Sequence, residues 1–419
     1  MREYADVVKT LVPVIGAGQS LEFDDASPLA REIAYGVLRD YYYLTAVVDR
    51  LVSKPLGEKN LDLQVLLLAG MYSANRLKRP TYTSVNAVVE AAVEIGKPWA
   101  KALLNGVLRN YLRNRESIDA DVLKSEEART NHPDWMITAL RDAWGDQAEA
   151  IMDANNRHAP MTLRINQRRT SVADYQSLLD AAGLGATPGE LALSALYLAE
   201  PVATASLPGF NQGLCSVQDE ASQLAAGLMN LFPGARVLDA CAAPGGKTCH
   251  MLEILDNLDL TALDINQRRC RQIEQNLERL GQSCTVVVAD LLNWRCEPES
   301  IDRILLDVPC SATGIIRRHP DIKLLRRQTD IAKLASAQVE LLSRSWQLLK
   351  KGGELVYSTC SILPAENAEV VARFLAQTPD ACTLPIDASW GQPAGDGRQL
   401  LPTQDRHDGF FYARLSRKA

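Results

Sequence analysis

Residues 235–248 constrain the fold of this chain more than any other stretch, and they read Ala-Arg-Val-Leu-Asp-Ala-Cys-Ala-Ala-Pro-Gly-Gly-Lys-Thr. The apolar residues near its start predict a buried strand, which Pro244 ends. Gly245 and Gly246 follow, and because they lack side chains, a ligand can reach the backbone N–H groups at the start of a helix. The stretch therefore predicts a strand, a loop and a helix, with a binding place for a carboxylate or a phosphate.

Two familiar nucleotide-binding loops do not fit this stretch. A Walker A loop requires a glycine five positions before the glycine of its Gly-Lys-Thr, where this chain has Cys241. The spacing Gly-x-Gly-x-x-Gly of dinucleotide-binding proteins is also absent from it. A cofactor loop of another kind and a plain tight turn between strand and helix both remain open from this stretch alone.

An acidic residue ends each of the three strand-like runs that follow, namely Asp264, Asp290 and Asp307. Residues 266–280, closed by Gly281, predict one helix between these strands. Such alternation predicts βαβ units and a mostly parallel sheet. Parallel strands end at one edge, where these sheets bind ligands, so we expect the three carboxylates to share a site with the glycine loop. Three acids in this order favour the cofactor loop over the plain turn.

Two cysteines also follow predicted strands. Cys310 comes three residues after Asp307, and Cys360 lies in Tyr-Ser-Thr-Cys-Ser at the end of the next strand. A single cysteine at a strand end is usually a small buried residue of the core. Two at neighbouring strand ends, each flanked by small hydroxyl residues, favour chemistry instead, because a thiolate is a strong covalent nucleophile.

The composition predicts a protein with free thiols. Nine cysteines without any Cys-x-x-Cys pair argue against a disulfide framework and against a structural zinc site. The longest apolar run, residues 65–71, is far shorter than the roughly 18 residues of a membrane span, and the N-terminal residues lack the pattern of a signal peptide. We expect a cytoplasmic protein with neither a metal nor a membrane partner.

Although the net charge of the chain is −6, two of its segments are basic. The first, from Arg76 to Arg115, holds eight basic residues and two acids, and the second, from Arg303 to Lys351, holds ten basic residues and four acids. Binding to nucleic-acid phosphates requires such local positive charge, but an ordinary solvated helix surface gives the same count. For the first segment both interpretations stay open.

Three regions differ in their predicted secondary structure. Residues 1–126 read as helix after helix, since apolar residues recur at helical spacing between Gly and Pro. Residues 127–215 combine a polar helical stretch with short apolar runs, which predicts linker helices and a small α+β subdomain. Residues 216–419 carry the βαβ pattern, and their last stretch, from Asp408, predicts an antiparallel strand at the sheet's edge. Residues 378–409 are rich in Pro, Gly and Asp and are expected to form a surface loop.

Three motifs together resemble one known family. Asp239-Ala-Cys-Ala-Ala-Pro-Gly-Gly-Lys-Thr, Asp307-Val-Pro-Cys-Ser-Ala-Thr-Gly and Ser358-Thr-Cys-Ser are similar to the cofactor loop and the two cysteine motifs of the Sun/Nop family of S-adenosylmethionine-dependent RNA cytosine-C5 methyltransferases. The N-terminal helices resemble a NusB-type RNA-binding domain. The resemblance implies an all-α NusB-like domain, a small α+β subdomain, and a Rossmann-like class I methyltransferase domain with a mostly parallel seven-stranded sheet. Val308 departs from the family, which usually has Ala there, and so predicts more bulk beside the base pocket.

The resemblance also implies a reaction and the residues that perform it. Cytosine C5 can take a methyl group from a sulfonium only after a thiolate has added to C6. By resemblance, Cys360 is this nucleophile, Cys310 helps to remove the C5 proton for release, and Asp307 contacts the N3/N4 edge of the base. Asp264 is expected to hold the ribose hydroxyls of S-adenosylmethionine, and Asp290 its adenine amine. The remaining residues expected at the cofactor are those of the loop at its methionine end, Cys241, Ala242, Ala243, Pro244, Gly245, Gly246 and Lys247, together with Asp307.

The implied substrate is a specific cytosine of 16S rRNA, free or in an early small-subunit particle, and the enzyme is expected to be a monomer. Another RNA, such as tRNA or 23S rRNA, is an alternative substrate. A DNA C5 methyltransferase is a second alternative, and it would use Cys310 as the nucleophile without needing Cys360. A third is an RNA-binding assembly factor with a vestigial catalytic domain, which the intact acids and thiols disfavour.

Overall fold

The chain forms two compact units in the computed structural model, which describes residues 2–23, 25–77 and 80–419. The helical unit comprises the described part of residues 1–158 together with residues 316–328. The sheet unit comprises residues 159–315 and 329–419. The predicted finer division at 126/127 and 215/216 stays a prediction.

Helices and strands are numbered in chain order. The helices are α1 (Arg2–Ala17), α2 (Pro28–Arg39), α3 (Tyr41–Leu51), α4 (Leu61–Arg76), α5 (Thr81–Glu94), α6 (Lys101–Val122), α7 (Glu126–Thr130), α8 (Asp134–Trp144), α9 (Ala148–Asn155), α10 (Val172–Ala181), α11 (Glu220–Gly227), α12 (Gly246–Ile254), α13 (Gln267–Leu280), α14 (Ile322–Leu325), α15 (Gln328–Leu348) and α16 (Ala368–Gln377). The strands are β1 (Thr162–Ile165), β2 (Ala186–Pro188), β3 (Ala195–Leu198), β4 (Cys215–Val217), β5 (Arg236–Ala240), β6 (Asp259–Asp264), β7 (Thr285–Val288), β8 (Ile301–Asp307), β9 (Leu349–Thr359), β10 (Ala381–Leu384), β11 (Gln392–Ala394), β12 (Gly397–Leu400) and β13 (Phe410–Arg417).

Helix α4 is the centre of the helical unit. Residues 65–73 are all buried, because α1, α2, α3, α5 and α6 pack around them. A helix that is apolar on every side must be enclosed in this way, and the apolar run at residues 65–71 is therefore a core helix. Among the described residues, no helix is both long and apolar enough to cross a membrane.

Residues 316–328 follow part of the sheet unit in sequence but belong to the helical unit. Leu324 and Leu325, in α14, pack against the apolar core of the helices. The Asp321 carboxylate accepts a hydrogen bond from the backbone N–H of Leu21 at 3.1 Å. The helical core is thus completed by a segment that lies about 300 residues further along the chain than Leu21.

A small sheet opens the sheet unit, with the strand order β2-β3-β1-β4 and antiparallel pairing throughout. Its buried residues and those of α10 form a separate apolar cluster, which includes Leu163, Tyr175 and Leu196. This is the small α+β subdomain that the sequence predicts.

The large sheet has the order β11-β12-β13-β9-β8-β5-β6-β7, with β10 also paired to β13. The strands from β9 to β7 are parallel, so that their carboxyl ends meet at one edge. Alternate residues of β5 belong to two different buried clusters: Val237 packs with residues of α11, α12 and α13, and Leu238 with residues of α15 and α16. Helices therefore cover both faces of the sheet, as parallel strands require.

The predicted sheet had too few strands. The sheet in the described residues has nine strands where seven were expected. Three of them, β10, β11 and β12, form within residues 378–409, the stretch expected to be a surface loop. The predicted last strand is confirmed, since β13 pairs antiparallel with β9. It is not the edge, however, because β12 and β10 continue the sheet beyond it.

Candidate active site

The predicted site residues follow the carboxyl ends of the parallel strands in the same order as the strands lie in the sheet. Cys360 follows β9, Cys310 follows β8, the glycine loop follows β5, Asp264 ends β6, and Asp290 comes two residues after β7. Neighbouring strands lie about 4.8 Å apart, so this edge extends over roughly 19 Å. Topology alone thus brings the predicted residues to one edge.

The glycine loop between β5 and α12 has an unusual backbone. Cys241 has φ +62°, and the Ala243–Pro244 peptide bond is cis. Gly245 has φ +94°, and a Cβ at this position would lie 3.1 Å from Cα of Ile273. Only glycine combines this conformation with such close packing on α13.

Asp264 is buried and ties the loop to β6. One carboxylate oxygen accepts a hydrogen bond from N–H of Ala243 at 3.1 Å, and the other accepts from N–H of Asn266 at 2.9 Å. Arg269, in the first turn of α13, donates to the carbonyl of Ala243. The carboxylate that was predicted to hold a ribose therefore also fixes the shape of the loop beside it.

Asp239, for which the sequence offered no role, lies fully enclosed at the end of β5. One oxygen accepts from the hydroxyl of Thr248 in α12 at 2.5 Å, whereas the other oxygen has no hydrogen-bond partner among the described residues. Burial raises the pKa of Asp239 to about 7, against the opposing effect of the Thr248 hydrogen bond. The nearby Asp307 and Asp264 also favour the protonated form.

Asp307 lies at the end of β8 between two donors. Its carboxylate accepts from Nζ of Lys247 at 2.5 Å and from the hydroxyl of Ser358 at 2.6 Å. The Lys247 ammonium also lies 5.2 Å from the ring centre of Phe410. These contacts hold Asp307 on one side of the loop while Asp264 lies on the other.

Cys241 lies near Asp307, Asp264 and Asp239, whose negative charges affect its pKa. Burial raises its pKa to about 12, and the negative charges of Asp307, Asp264 and Asp239 add to this effect in that order. A thiol with such a pKa stays protonated at neutral pH. Cys241 is therefore part of the lining of the loop and not a nucleophile.

Cys310 and Cys360 lie side by side, with their sulfur atoms 3.4 Å apart. Cys310 is buried, whereas Cys360 is partly exposed. The hydrogen bond with Cys360 is the main cause that raises the pKa of Cys310, followed by burial, the charge of Cys360 and that of Glu366. The raised pKa keeps the Cys310 thiol protonated at neutral pH.

The loops that carry the two thiols are joined through their backbones. The N–H of Gly314 donates to the carbonyl of Cys360 at 2.9 Å, and the N–H of Gly409 donates to the carbonyl of Gly314 at the same distance. A Cβ on Gly314 would lie 2.3 Å from the Gly409 carbonyl oxygen, so no larger residue fits without moving the backbone. Gly409, just before β13, is thus bonded to the loop of Cys310, which is itself bonded to the loop of Cys360.

Asp290 and Val308 lie at the margins of this arrangement. Asp290 is half-buried and accepts from N–H of Leu292 at 3.0 Å and from the side-chain amide of Asn293 at 2.7 Å. Val308 is buried in the apolar cluster beneath α15 and α16. Its extra bulk relative to Ala is therefore accommodated in the core.

A cavity of about 940 Å³ lies in the sheet unit, lined in part by α11, α12 and residues 385–390. None of the predicted site residues lines it. The predicted site residues therefore lie at the strand ends, away from this cavity.

Comparison with known proteins finds matches in three successive stretches of the chain. Residues 226–416 match the family described as 16S rRNA methyltransferase RsmB/F, residues 132–205 match the ferredoxin-like domain of RsmF/B-like methyltransferases, and residues 14–113 match the NusB family. A ribosomal RNA small subunit methyltransferase B from Pseudomonas syringae pv. tomato is 46% identical over 92% of this chain and 88% of that protein. The chain belongs to the RsmB/F methyltransferase family.

Further relatives of this RsmB/F family member support the same assignment. A ribosomal RNA small subunit methyltransferase B from Vibrio cholerae is 44% identical over 93% of this chain and 89% of that protein. The solved structure of a methyltransferase homolog protein from Pyrococcus horikoshii is 30% identical, with a TM-score of 0.61 over 70% of this chain and 97% of that one. The predicted family and fold class are confirmed, apart from the number of strands.

The first basic segment of this RsmB/F family member is largely paired with acids. Lys78 and Arg79 lie outside the described residues. Arg109 and Arg113 are exposed on α6 with the spacing i, i+4. The remaining cations of the segment form ion pairs, namely Arg76 with Asp40, Lys97 with Asp62, Lys101 with Glu90 and Arg115 with Asp119.

The second basic segment contains two cations that are almost fully buried, Arg317 and Lys323. Burial lowers the pKa of Lys323 to about 7. Its ammonium donates to the carbonyl of Arg39 at 2.7 Å and to the side-chain oxygen of Asn156 at 3.0 Å. The count of basic residues in the second segment therefore overstated the positive charge that is available to bind a phosphate.

Two groups at the RsmB/F site were missed in the sequence. Ser358 was quoted only as part of a motif, yet it donates to Asp307. Glu366, in a short helical turn after β9, is wholly buried beneath both cysteine loops. Its position six residues after Cys360 could have drawn attention to it, but an acid in a polar turn usually faces water.

Proposed function

We propose that this protein methylates C5 of a cytosine in 16S rRNA, using S-adenosylmethionine and a covalent bond between Cys360 and C6 of the base. The observation that supports this most is the 3.4 Å contact between the sulfurs of Cys310 and Cys360 at adjacent strand ends. C5 and C6 are neighbouring ring atoms, so two groups that act on them must stand close together. Asp307 ends β8, three residues before Cys310, and is the third proposed catalytic residue.

The two thiols have different roles because their surroundings differ. Cys360 is the more accessible and is the nucleophile, so that Cys310 is left as the hydrogen-bond donor of the pair once Cys360 acts as the thiolate. When the Cys360 sulfur bonds to C6, it becomes a thioether, which is a weaker hydrogen-bond acceptor. The hydrogen bond that is the main cause of the raised pKa of Cys310 is then weakened, while burial remains. Cys310 can then give its proton to water, and as a thiolate it takes the proton from C5. The electrons of the C5–H bond re-form the C5–C6 double bond as the bond between Sγ of Cys360 and C6 breaks, so that Cys360 leaves as a thiolate.

Asp307 acts on the other side of the base. Its carboxylate is held by Lys247 and Ser358, so it is oriented before a substrate arrives. A carboxylate accepts from the N4 amino group of cytosine, and in its protonated form it can donate to N3. Thymine and uracil lack that amino group, so the same contact would favour cytosine.

The residues of the loop fit S-adenosylmethionine by their chemistry. The cofactor is a cation with a diol, and it supplies an electrophilic methyl group when bound. Burial is the main cause that raises the pKa of Cys241 to about 12, and the negative charges of Asp307, Asp264 and Asp239 add to it. The same charges would stabilise the sulfonium cation. The loop from Cys241 to Lys247 would hold the methionine end, Asp264 the ribose and Asp290 the adenine.

The choice of 16S rRNA rests on the relatives, which are named as small-subunit rRNA methyltransferases. The NusB-like helices would supply contacts to the RNA, with exposed cations such as Arg109 and Arg113 at its phosphates. We propose that the enzyme works as a monomer in the cytoplasm, on free rRNA or an early small-subunit particle.

Methyl transfer to defined nucleic acids tests this function. The protein is incubated with methyl-labelled S-adenosylmethionine and unmodified 16S rRNA, 23S rRNA, tRNA or duplex DNA, and the products are digested to nucleosides. We expect 5-methylcytidine from 16S rRNA alone, at one position. Label in DNA, on the amino group of cytosine or only in another RNA would refute the proposal in that respect.

Substitution of each cysteine tests the mechanism. Cys360→Ala should abolish methylation and form no adduct, because no other group makes C5 nucleophilic. Cys310→Ala should still attack and methylate, and then stall as an RNA–protein adduct that survives denaturing electrophoresis. The double variant is the control and should give no adduct. An adduct with Cys360→Ala but none with Cys310→Ala would instead assign the nucleophile to Cys310, as in the DNA-type mechanism.

A further inference from the structure

The buried carboxylate of Glu366 accepts hydrogen bonds from both cysteine loops. Ser311 follows Cys310, and Ser361 follows Cys360. The hydroxyls of Ser311 and Ser361 both donate to Oε2 of Glu366, at 2.5 Å and 2.7 Å. The backbone N–H of Ser311 donates to Oε1 of the same side chain at 2.8 Å. The residue after each thiol is therefore bound to one anion.

The surroundings of Glu366 are built to hold a carboxylate. Its side chain is wholly buried, and Gln338 donates a further hydrogen bond to Oε1 at 3.3 Å. Tyr357, in β9, donates to its backbone carbonyl at 2.7 Å. A carboxylate accepts at both oxygens, whereas a carboxamide accepts at only one, so this arrangement of four donors requires the acid. A buried acid is costly, and here its hydrogen bonds come from neutral groups.

We infer that Glu366 is the positioning residue that sets the separation of the two catalytic sulfurs, an inference that rests on the proposed function. The two loops leave different strands, and the residues that directly follow the two thiols are held together through Glu366. Glu366 reaches them from a short turn, so that the Ser311 and Ser361 hydrogen bonds converge on atoms of one rigid group. The Gly314–Cys360 backbone hydrogen bond closes the same junction from the other side.

The separation of the sulfurs matters because each must reach its own ring atom on the same bound base. A shift of about 1 Å in one of two such groups can reduce the rate of a reaction by about 10²-fold. Binding of S-adenosylmethionine depends on other residues, at β5, β6 and β7. A change at Glu366 should therefore alter the rate at saturating substrate and leave the KM for S-adenosylmethionine unchanged.

Glu366→Asp is the sharpest variant, because it keeps the charge but is one methylene too short to reach both loops. The matched control is Glu220→Asp. Glu220 is another buried acid of the sheet unit, and it accepts hydrogen bonds from neutral donors, including N–H of Leu191 at 2.7 Å and the hydroxyl of Tyr197 at 2.7 Å. Both variants should lose stability, but only one of them alters the cysteine loops.

The first measurement needs neither RNA nor activity. Diamide oxidises two neighbouring thiols to a disulfide and is itself reduced to the hydrazine, so the rate of Cys310–Cys360 disulfide formation reports their proximity. We expect Glu366→Asp to slow this rate by about tenfold and Glu220→Asp to leave it unchanged. In methylation assays, Glu366→Asp should lower kcat by about 10²-fold at an unchanged KM for S-adenosylmethionine.

Ser361→Ala provides a second test if Glu366→Asp fails to fold. It removes the hydroxyl through which the carboxylate holds the Cys360 loop, together with the contacts of that hydroxyl to Ser311, Thr313 and N–H of Leu363. It should slow disulfide formation in the same direction. An unchanged disulfide rate in the folded variants would overturn the inference. Should the wild-type protein fail to methylate cytosine C5 while Glu366→Asp still slows the disulfide, the proposed function falls and the positioning of the sulfurs stands.

Discussion

Asp239 combines full burial with one unpartnered oxygen at the start of the glycine loop. Its pKa of about 7 in the folded protein lies above the value near 3.8 of an exposed carboxyl. Between these two pH values the folded state binds more protons than the unfolded chain, so stability falls as pH rises from about 4 to 7. Above pH 7 the loss is complete and no longer changes.

Asp239→Asn should remove this pH dependence. The amide oxygen still accepts from Thr248, and no buried charge forms at high pH. At pH 8 we expect the variant to be more stable than the wild type by up to about 4 kcal/mol, and at pH 4 the advantage should disappear. Urea unfolding at a series of pH values measures both. A wild-type stability that rises from pH 4 to 7 in step with that of the variant would contradict this prediction.

At the scale of elements, a buried ion pair connects the small sheet to the helix that follows the glycine loop. Arg164, in β1, forms a bidentate pair with Glu253 of α12, with distances of 2.8 Å and 2.7 Å. Its remaining nitrogen donates to the carbonyl of Gly246, in the first turn of α12, at 2.7 Å. The small sheet therefore positions the end of α12 that faces the site.

Removal of only one partner should be costly. Arg164→Met leaves the buried Glu253 without its cation, and we expect a loss of about 3–5 kcal/mol in the free energy of unfolding. The double variant Arg164→Met/Glu253→Met should recover part of this loss, because no unpaired charge remains in the core. Chemical denaturation of the single and double variants forms the double-mutant cycle. Equal losses in both would show that the Arg164 contacts to Gly246, and not the ion pair, stabilise the junction.

Elements of regular pattern were predictable, and the reasons are local. The helix expected at residues 266–280 is α13, with the Asn266 side chain accepting from N–H of Arg269 and Gly281 in the left-handed conformation after the last turn. Its period and both end signals are contained in the sequence itself. The parallel core of the sheet and the edge at which the acids and thiols meet follow from the same alternation of strand and helix.

The rest depended on pairing between distant residues. Strands β11 and β12 have only three and four residues, and their place is fixed by β13 and by each other. No local pattern marks so short a strand in a stretch rich in Pro and Gly. Glu366 was missed for a related reason, since its burial follows from the meeting of two loops 50 residues apart.

For the whole molecule, residues 316–328 set a limit on how the chain can be divided. Removal of residues 1–126 deletes most of the core against which Leu324 and Leu325 pack. It also deletes Leu21 and Arg39, the partners of Asp321 and Lys323. The remaining segment would present apolar side chains to water.

Truncation should therefore lower solubility unless this segment is altered too. We expect the protein without residues 1–126 to aggregate, and the same protein with Leu324→Ser and Leu325→Ser to be soluble and to bind S-adenosylmethionine. In the full-length chain the two serines should instead destabilise the helical unit. The soluble fraction after expression and calorimetric titration with S-adenosylmethionine provide the measurements. A soluble truncated protein with both leucines intact would contradict the prediction.

Because residues 316–328 come late in the chain, the core of the helical unit cannot be completed until they have been translated. Helices α1 to α9 leave the ribosome first, yet the segment that completes their core is translated about 170 residues later. At roughly 5–20 residues per second, this delay amounts to about 10–30 s. During that interval the core formed by helices α1 to α9 lacks the residues of this segment. The helical unit therefore completes its fold only after most of the sheet unit has been translated.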